Sequence, residues 1–336
     1  MTGKKIIIDG NSLTIEEIVR AARQGAPVEL STQSIKKIQR SRERVEDIIS
    51  SGTPVYGINT GFGIFADRQI SSEDSVRLSR NLILSHAVGA GPDLAKEVVR
   101  AAMLIRANTL AKGFSGVRLD VIQTLLEMLN KDLTPIVPSQ GSLGSSGDLA
   151  PLAHLALVFT TDERDREEES GYAVYQDQKM TGKRAMEKAG ISRLELQAKE
   201  GLALSNGATF SAAIAALACA DARVLLEISD LALAMSLEAL LGVSPAFDHR
   251  IHQARQHPGQ MTSASRIRSL ITGSTLVDST GRVQDAYSLR CSPQVHGPVH
   301  DTLEFAVNII RREINAATDN PLIFPGGKAI SGGNFH

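Results

Sequence analysis

The residues best suited to covalent chemistry stand together in Gln140-Gly141-Ser142-Leu143-Gly144-Ser145-Ser146-Gly147-Asp148-Leu149-Ala150-Pro151-Leu152-Ala153-His154. Glycines at every third position invite a phosphate-binding loop, but no Gly-Lys-Ser/Thr ending follows and no strong strand precedes it. A Gly-x-Ser-x-Gly nucleophile elbow fails on spacing. By composition alone the stretch is a flexible loop ahead of a helix. Asp148 takes the N-cap position of that helix, and Pro151 falls in its first turn, where a missing N–H is tolerated.

Other segments carry reactive types in unremarkable settings. Tyr56-Gly57-Ile58-Asn59-Thr60-Gly61-Phe62-Gly63 is a glycine-rich turn presenting a tyrosine, which is more often a packing residue. Leu84-Ser85-His86-Ala87 sets a histidine on an apolar helix, usually a structural position. Leu204-Ser205-Asn206-Gly207-Ala208 reads as a cap for the apolar helix that follows. Gln284-Asp285-Ala286-Tyr287-Ser288-Leu289-Arg290-Cys291 offers a guanidinium whose fork fits a carboxylate, although a surface ion pair is the commoner use. His249, His252 and His257 match no zinc spacing and have no cysteine nearby, so they are expected to be exposed loop histidines and no metal site is expected.

Taken together, these segments resemble the histidine/phenylalanine ammonia-lyase family. There, a triplet ahead of Asp-Leu-Ala-Pro-Leu cyclises into a methylidene-imidazolone, so the resemblance implies that ring at Ser145-Ser146-Gly147, with no external cofactor. The chemistry suits the residues. Gly147, lacking Cβ, lets its nitrogen bend back onto the Ser145 carbonyl carbon, and loss of the Ser146 hydroxyl as water creates the methylidene. Amide resonance is sacrificed, so the fold must hold the loop compressed. Ser145 stands where the family usually has alanine; it supplies a carbonyl carbon and a ring substituent, and a hydroxymethyl group need not block closure.

The resemblance further implies roles. Tyr56 is the base that removes the β-proton, and Tyr287 stands near the amine and ring. Asn206 hydrogen-bonds the ring, Arg290 and Gln284 hold the substrate carboxylate, and Phe335 of Gly332-Gly333-Asn334-Phe335-His336 packs near the substrate. Ser85-His86 is the pair that selects histidine, which makes L-histidine the expected substrate and urocanate the product. The alternatives are a phenylalanine or tyrosine lyase, a 2,3-aminomutase, and a catalytically incomplete helical fragment. Family members are homotetramers with shared active sites and continue beyond the last residue here, so a separate C-terminal fragment is a further candidate partner.

These groups must be positioned mainly by helices. Ser31 can cap a segment in which Ile35, Ile38, Val45, Ile48 and Ile49 recur at helical spacing, and similar patterns run through 72–85, 93–111 and 117–130. Extended pieces are expected only at Ile6–Asp9 and Tyr172–Tyr175. The apolar stretch Ala208–Val243 carries Asp221, Arg223, Glu227, Asp230 and Glu238, which argues for a central bundle helix over a membrane span. Another helix is expected from Val299 to Ala316, stopped by Asp319-Asn320-Pro321. The fold class is therefore mainly α: an N-terminal domain over 1–200 carrying the cyclising loop, then the start of an elongated helical bundle over 201–336, with the charged run 161–170 as a hinge.

With 36 basic and 37 acidic residues, the net charge of −1 gives no field to recruit nucleic acid or an anionic membrane, which favours a small-molecule substrate. Two cysteines make no disulfide framework, and the N-terminus lacks a signal-peptide stretch, so a cytoplasmic location is expected.

Overall fold

The computed structural model describes residues 4–61, 68, 70–143 and 147–335. The chain is mainly α-helical and divides into two compact units: 1–217 with 311–336, and 218–310. The partition differs from the boundary expected at residue 200. Charged run 161–170 lies wholly inside the first unit, where Asp165 pairs with Lys183 and Arg193. Those ion pairs fasten a segment that composition alone marks as a hinge.

In the first unit the helices are α1 (Ile15–Gln24), α2 (Thr32–Ser51), α3 (Ser72–His86), α4 (Lys96–Ala111), α5 (Leu119–Asn130), α6 (Leu149–Phe159), α7 (Gly182–Ala189) and α8 (Glu200–Ser205). Local signals set their ends. The Ser31 hydroxyl accepts from the Ser34 N–H to start α2, and Gly52 in the left-handed region ends it. The expected helices over 72–85, 93–111 and 117–130 correspond to α3, α4 and α5. From Val99 to Ala111 every residue of α4 is buried, so this helix is the centre of the unit. Val45 and Ile48 of α2 pack with Ile58 and Ile323 in a second cluster.

The strands are short and serve as clips. β1 (Ile6–Ile8) pairs in parallel with β2 (Val28–Leu30). β3 (Ala90–Asp93) pairs antiparallel with β5 (Pro138–Gln140), joining the exit of α3 to the chain that enters the glycine-rich stretch. β4 (Thr134–Pro135) and β8 (Gln178–Thr181) flank β7 (Tyr172–Tyr175), and β6 (Thr160–Thr161) pairs with β9 (Leu194–Glu195). β10 (Leu322–Ile323) and β11 (Ala329–Ile330) form a hairpin.

Helix α9 (Thr209–Ala239) is long and apolar enough to cross a bilayer. Its Asp230 is nevertheless fully buried, accepting from the Ser263 hydroxyl at 2.7 Å with His296 Nδ1 at 2.8 Å, which is the environment of a bundle helix. The second unit adds α10 (His249–Arg255), α11 (Pro258–Leu270), α12 (Tyr287–Arg290) and α13 (Ser292–Glu313). Its core gathers Leu233, Ala234 and Leu237 with Phe247, Ile267 and Ile271. Helix α13 begins earlier than Val299 because it runs through Pro298.

Candidate active site

Gly144, Ser145 and Ser146 lie outside the described residues; Gly147, the last of the triplet, and Asp148 lie within them. Gly147 has φ of 75° and bridges to Gly207. A Cβ at Gly147 would lie 2.4 Å from the Gly207 carbonyl carbon and 2.5 Å from its oxygen, so only glycine fits. The Asp148 N–H donates to the Gly207 carbonyl at 2.9 Å. The Asp148 side chain does not cap its own helix α6. It accepts instead from the Ser211 N–H at 2.8 Å and the Ser211 hydroxyl at 3.0 Å, capping the first turn of α9 from a distant segment. Within the triplet, Gly147 is clamped against a second backbone with no room for a Cβ, which suits a ring closed through its nitrogen.

Asn206 does not start α9. It ends α8, and its carbonyl accepts from Arg106 of α4 at 2.7 Å; a second Arg106 nitrogen donates to the Ala203 carbonyl at 3.1 Å. Arg106 is fully buried. Burial pushes its pKa down to about 10, while Asp319 and Asp148 oppose the shift, so it remains a cation at neutral pH beside the negative end of α8. Lys199 and Asp319, both fully buried, pair at 2.6 Å, and the Ser115 hydroxyl donates to the same carboxylate at 2.8 Å. This buried charge network fixes 199–211 against 318–320.

Next to it, Tyr56, Leu202, Asn206, Asn320, Ser331, Gly332 and Phe335 line a cavity of about 250 Å³. Sequence reasoning placed Tyr56, Asn206 and Phe335 in the site; it missed Asn320, read only as part of a helix stop. The Asn320 amide donates to Ser331 Oγ at 2.8 Å and its oxygen accepts from the Gly332 N–H at 2.8 Å, shaping one wall. Asn334 donates from its side chain to the Asp319 carbonyl.

Ser85 and His86 close α3. His86 Nδ1 lies 2.8 Å from the Leu82 carbonyl and 3.1 Å from Ser85 Oγ. A carbonyl only accepts, so Nδ1 carries a hydrogen and Nε2 is the ring nitrogen not engaged by this contact. Beyond the helix, the Gly89 N–H donates to His154 Nε2 at 3.0 Å.

In the second unit, Gln284 and Arg290 line a separate cavity of about 210 Å³ with Val243, Ala246, Ile251 and Asp285 among its walls. Arg290 stacks on the Tyr287 ring, its guanidinium carbon 4.4 Å from the centroid, while Tyr287 is otherwise exposed. The Arg290 Nε is buried with no hydrogen-bond partner among the described residues, leaving a donor unused. Buried Asp285 accepts from the Val243 N–H at 2.7 Å and so anchors the segment that carries these side chains.

His252 is not the exposed loop residue expected. It is buried in α10, with Nε2 donating to the Ala246 carbonyl at 3.1 Å and Nδ1 accepting from the Gln260 amide at 2.8 Å. No cluster of His, Cys, Asp or Glu able to hold a metal occurs among the described residues.

Residues 13–336 match the aromatic amino acid lyase family. A histidine ammonia-lyase of Caldanaerobacter subterraneus subsp. tengcongensis is 49% identical over 336 residues, covering 99% of this chain and 65% of that protein. The chain thus spans just under two thirds of the length of such relatives. A crystal structure of histidine ammonia-lyase from Trypanosoma cruzi superposes with a TM-score of 0.87 at 37% identity, over 99% of this chain and 61% of that one. The Pantoea agglomerans phenylalanine aminomutase superposes with a TM-score of 0.89 at 34% identity, over 99% and 66%.

Proposed function

The chain belongs to the aromatic amino acid lyase family, and from that premise we propose that it serves the elimination of ammonia from L-histidine to give urocanate. The observation that carries the choice of histidine is the tautomer of His86. With Nδ1–H directed at the Leu82 carbonyl, Nε2 of that tautomer can accept a hydrogen bond, which a substrate imidazole N–H can supply and a phenyl ring cannot. The ring formed by Ser145-Ser146-Gly147 supplies an electrophile for the substrate when present.

The chain's own residues do the rest. In the second unit Arg290, whose Nε has no hydrogen-bond partner among the described residues, and Gln284 beside it offer a charge-assisted contact suited to a substrate carboxylate. Ser85 and His86 would orient the side chain, Phe335 would pack against it, and Asn206 would hold the ring. The Tyr56 oxygen takes the β-proton, the C–H electron pair becomes the Cα–Cβ double bond, and the Cα–N bond breaks with its pair passing to nitrogen, so that the substrate ammonium departs as ammonia. A phenol ordinarily titrates near ~10, so the site must favour the phenolate for this step. Tyr287 stacks on Arg290 and holds the guanidinium plane.

We also propose a cytoplasmic homotetramer with shared active sites. The support is the apolar residues exposed in the second unit, Val224, Ile228, Leu231 and Met235 along α9 and Val295, Val299, Phe305 and Ile309 along α13. Exposed apolar surface of this kind is covered by association.

The test is to incubate the purified protein with L-histidine, L-phenylalanine and L-tyrosine. Equimolar urocanate and ammonia from histidine support the reading. Nitrogen retained in a β-amino acid would favour an aminomutase. A chain that carries the ring and turns over nothing would favour a site completed by a further polypeptide, such as a separate C-terminal fragment.

A further inference from the structure

The turn that follows His86 is fastened to both ends of the prosthetic loop. The Val88 N–H returns to the His86 carbonyl at 2.8 Å, and the next donor, the Gly89 N–H, goes to His154 Nε2 at 3.0 Å. Ala90 then pairs with Gln140, the residue that opens the glycine-rich stretch. Packing here is close: a Cβ on Gly141 would lie 2.9 Å from the Ala150 Cβ and 3.4 Å from the Gly89 Cα, and one on Gly89 would lie 3.2 Å from His154 Nε2. Further back along α3, buried Arg80 donates to Thr160 Oγ1 at 2.8 Å and to the Glu169 carbonyl at 2.8 Å. Arg80 of α3 is thus bonded to the residue that ends α6, and the turn after α3 is bonded to His154 within α6, on the His86 side.

We propose that His154 is a positioning residue for substrate selection: its Nε2, by accepting from Gly89, sets where His86 stands relative to the loop that ends at Gly147. This inference rests on the lyase reading above. The bond requires an unprotonated Nε2, hence a neutral ring with its hydrogen on Nδ1. Burial favours that form, lowering the His154 pKa below the usual histidine value. Among the described residues the partner of the His154 ring is the Gly89 N–H and not the selecting pair, so its effect falls on binding of the side chain more than on the chemical step.

Two variants separate acceptor from shape. His154→Phe keeps the ring and removes the acceptor; His154→Gln puts an amide oxygen at the same number of bonds from the backbone. With ring formation checked by intact mass, His154→Phe is expected to raise KM for histidine about tenfold, equivalent to about 1.4 kcal/mol, with kcat changed less than about threefold. His154→Gln is expected to return KM to within about threefold of the parent. Hydrogen exchange of the peptide spanning 83–91 is expected to quicken in the Phe variant and not in the Gln variant. Unchanged KM and exchange in the Phe variant would overturn the inference, as would equal losses in both variants. Absence of urocanate from the parent would overturn the lyase reading instead, and the exchange comparison would still decide the tether.

Discussion

Gly147→Ala is the perturbation whose cost the structure specifies most closely. At φ of 75° a residue with a Cβ loses about 1 kcal/mol relative to glycine. The new Cβ would sit 2.4 Å from the Gly207 carbonyl carbon, where ordinary contact begins near ~3.5 Å, so two backbones must part by about an ångström. That movement removes the Asp148 N–H to Gly207 bond, worth about 1 kcal/mol net, and strains the two bonds that the Asp148 carboxylate accepts from Ser211, where bonds to charged groups run at about 1.5–3 kcal/mol. The sum is about 3–5 kcal/mol, a drop in Tm on the order of 10 °C. Cyclisation expels two waters, so the parent mass should lie about 36 Da below the encoded value while the variant stays at it. A variant with unchanged Tm and the full mass deficit would refute the claim that this junction admits only glycine.

Other expectations follow from the same contacts. Lys199→Met leaves Asp319 buried with the Ser115 hydroxyl as its main partner and should cost about 3–5 kcal/mol in denaturant unfolding, with much of it recovered by adding Asp319→Asn. Arg290→Lys loses the fork and should lower kcat/KM for histidine by about tenfold to a hundredfold in steady-state assays, with little change in Tm. Burial lowers the pKa of both His154 and His252, so each binds its proton more readily unfolded than folded. Their stabilising contribution is complete above the unfolded value near ~6.5 and is lost as pH falls through it towards the folded values. Unfolding midpoints compared between about pH 8 and about pH 5.5 should show that loss, and His252→Gln should reduce it.

What the sequence discloses and what it hides divide along the range of the interaction. Ser31 and Pro151 act within a turn or two: Ser31 caps α2 and Pro151 lies in the first turn of α6, as their positions in the sequence indicate. Asp148 shows the limit: its position at the start of α6 is legible, yet its carboxylate serves Ser211 in another helix start. Asn206 was readable as a cap and proves to end a helix, because the short α8 intervenes ahead of α9. Arg106, Lys199 and Asp319 resemble ordinary surface charges until burial and pairing are seen, and their partners lie about a hundred residues away in the chain. His252 looked like a loop histidine because nothing local announces that Gln260 and the Ala246 carbonyl satisfy both its nitrogens. Within the site, Tyr56, Asn206 and Phe335 meet at one cavity, whereas Asn320, which shapes its wall, carried no signal beyond its place before a proline.

The most direct measurement of the central claim is the fate of the substrate nitrogen. L-histidine labelled at its α-amino group would be given to the purified protein, and urocanate and free ammonia quantified together. The account predicts labelled ammonia and urocanate in equal amounts, with phenylalanine converted far more slowly. Label retained in a β-amino acid, or phenylalanine consumed in preference to histidine, would contradict it.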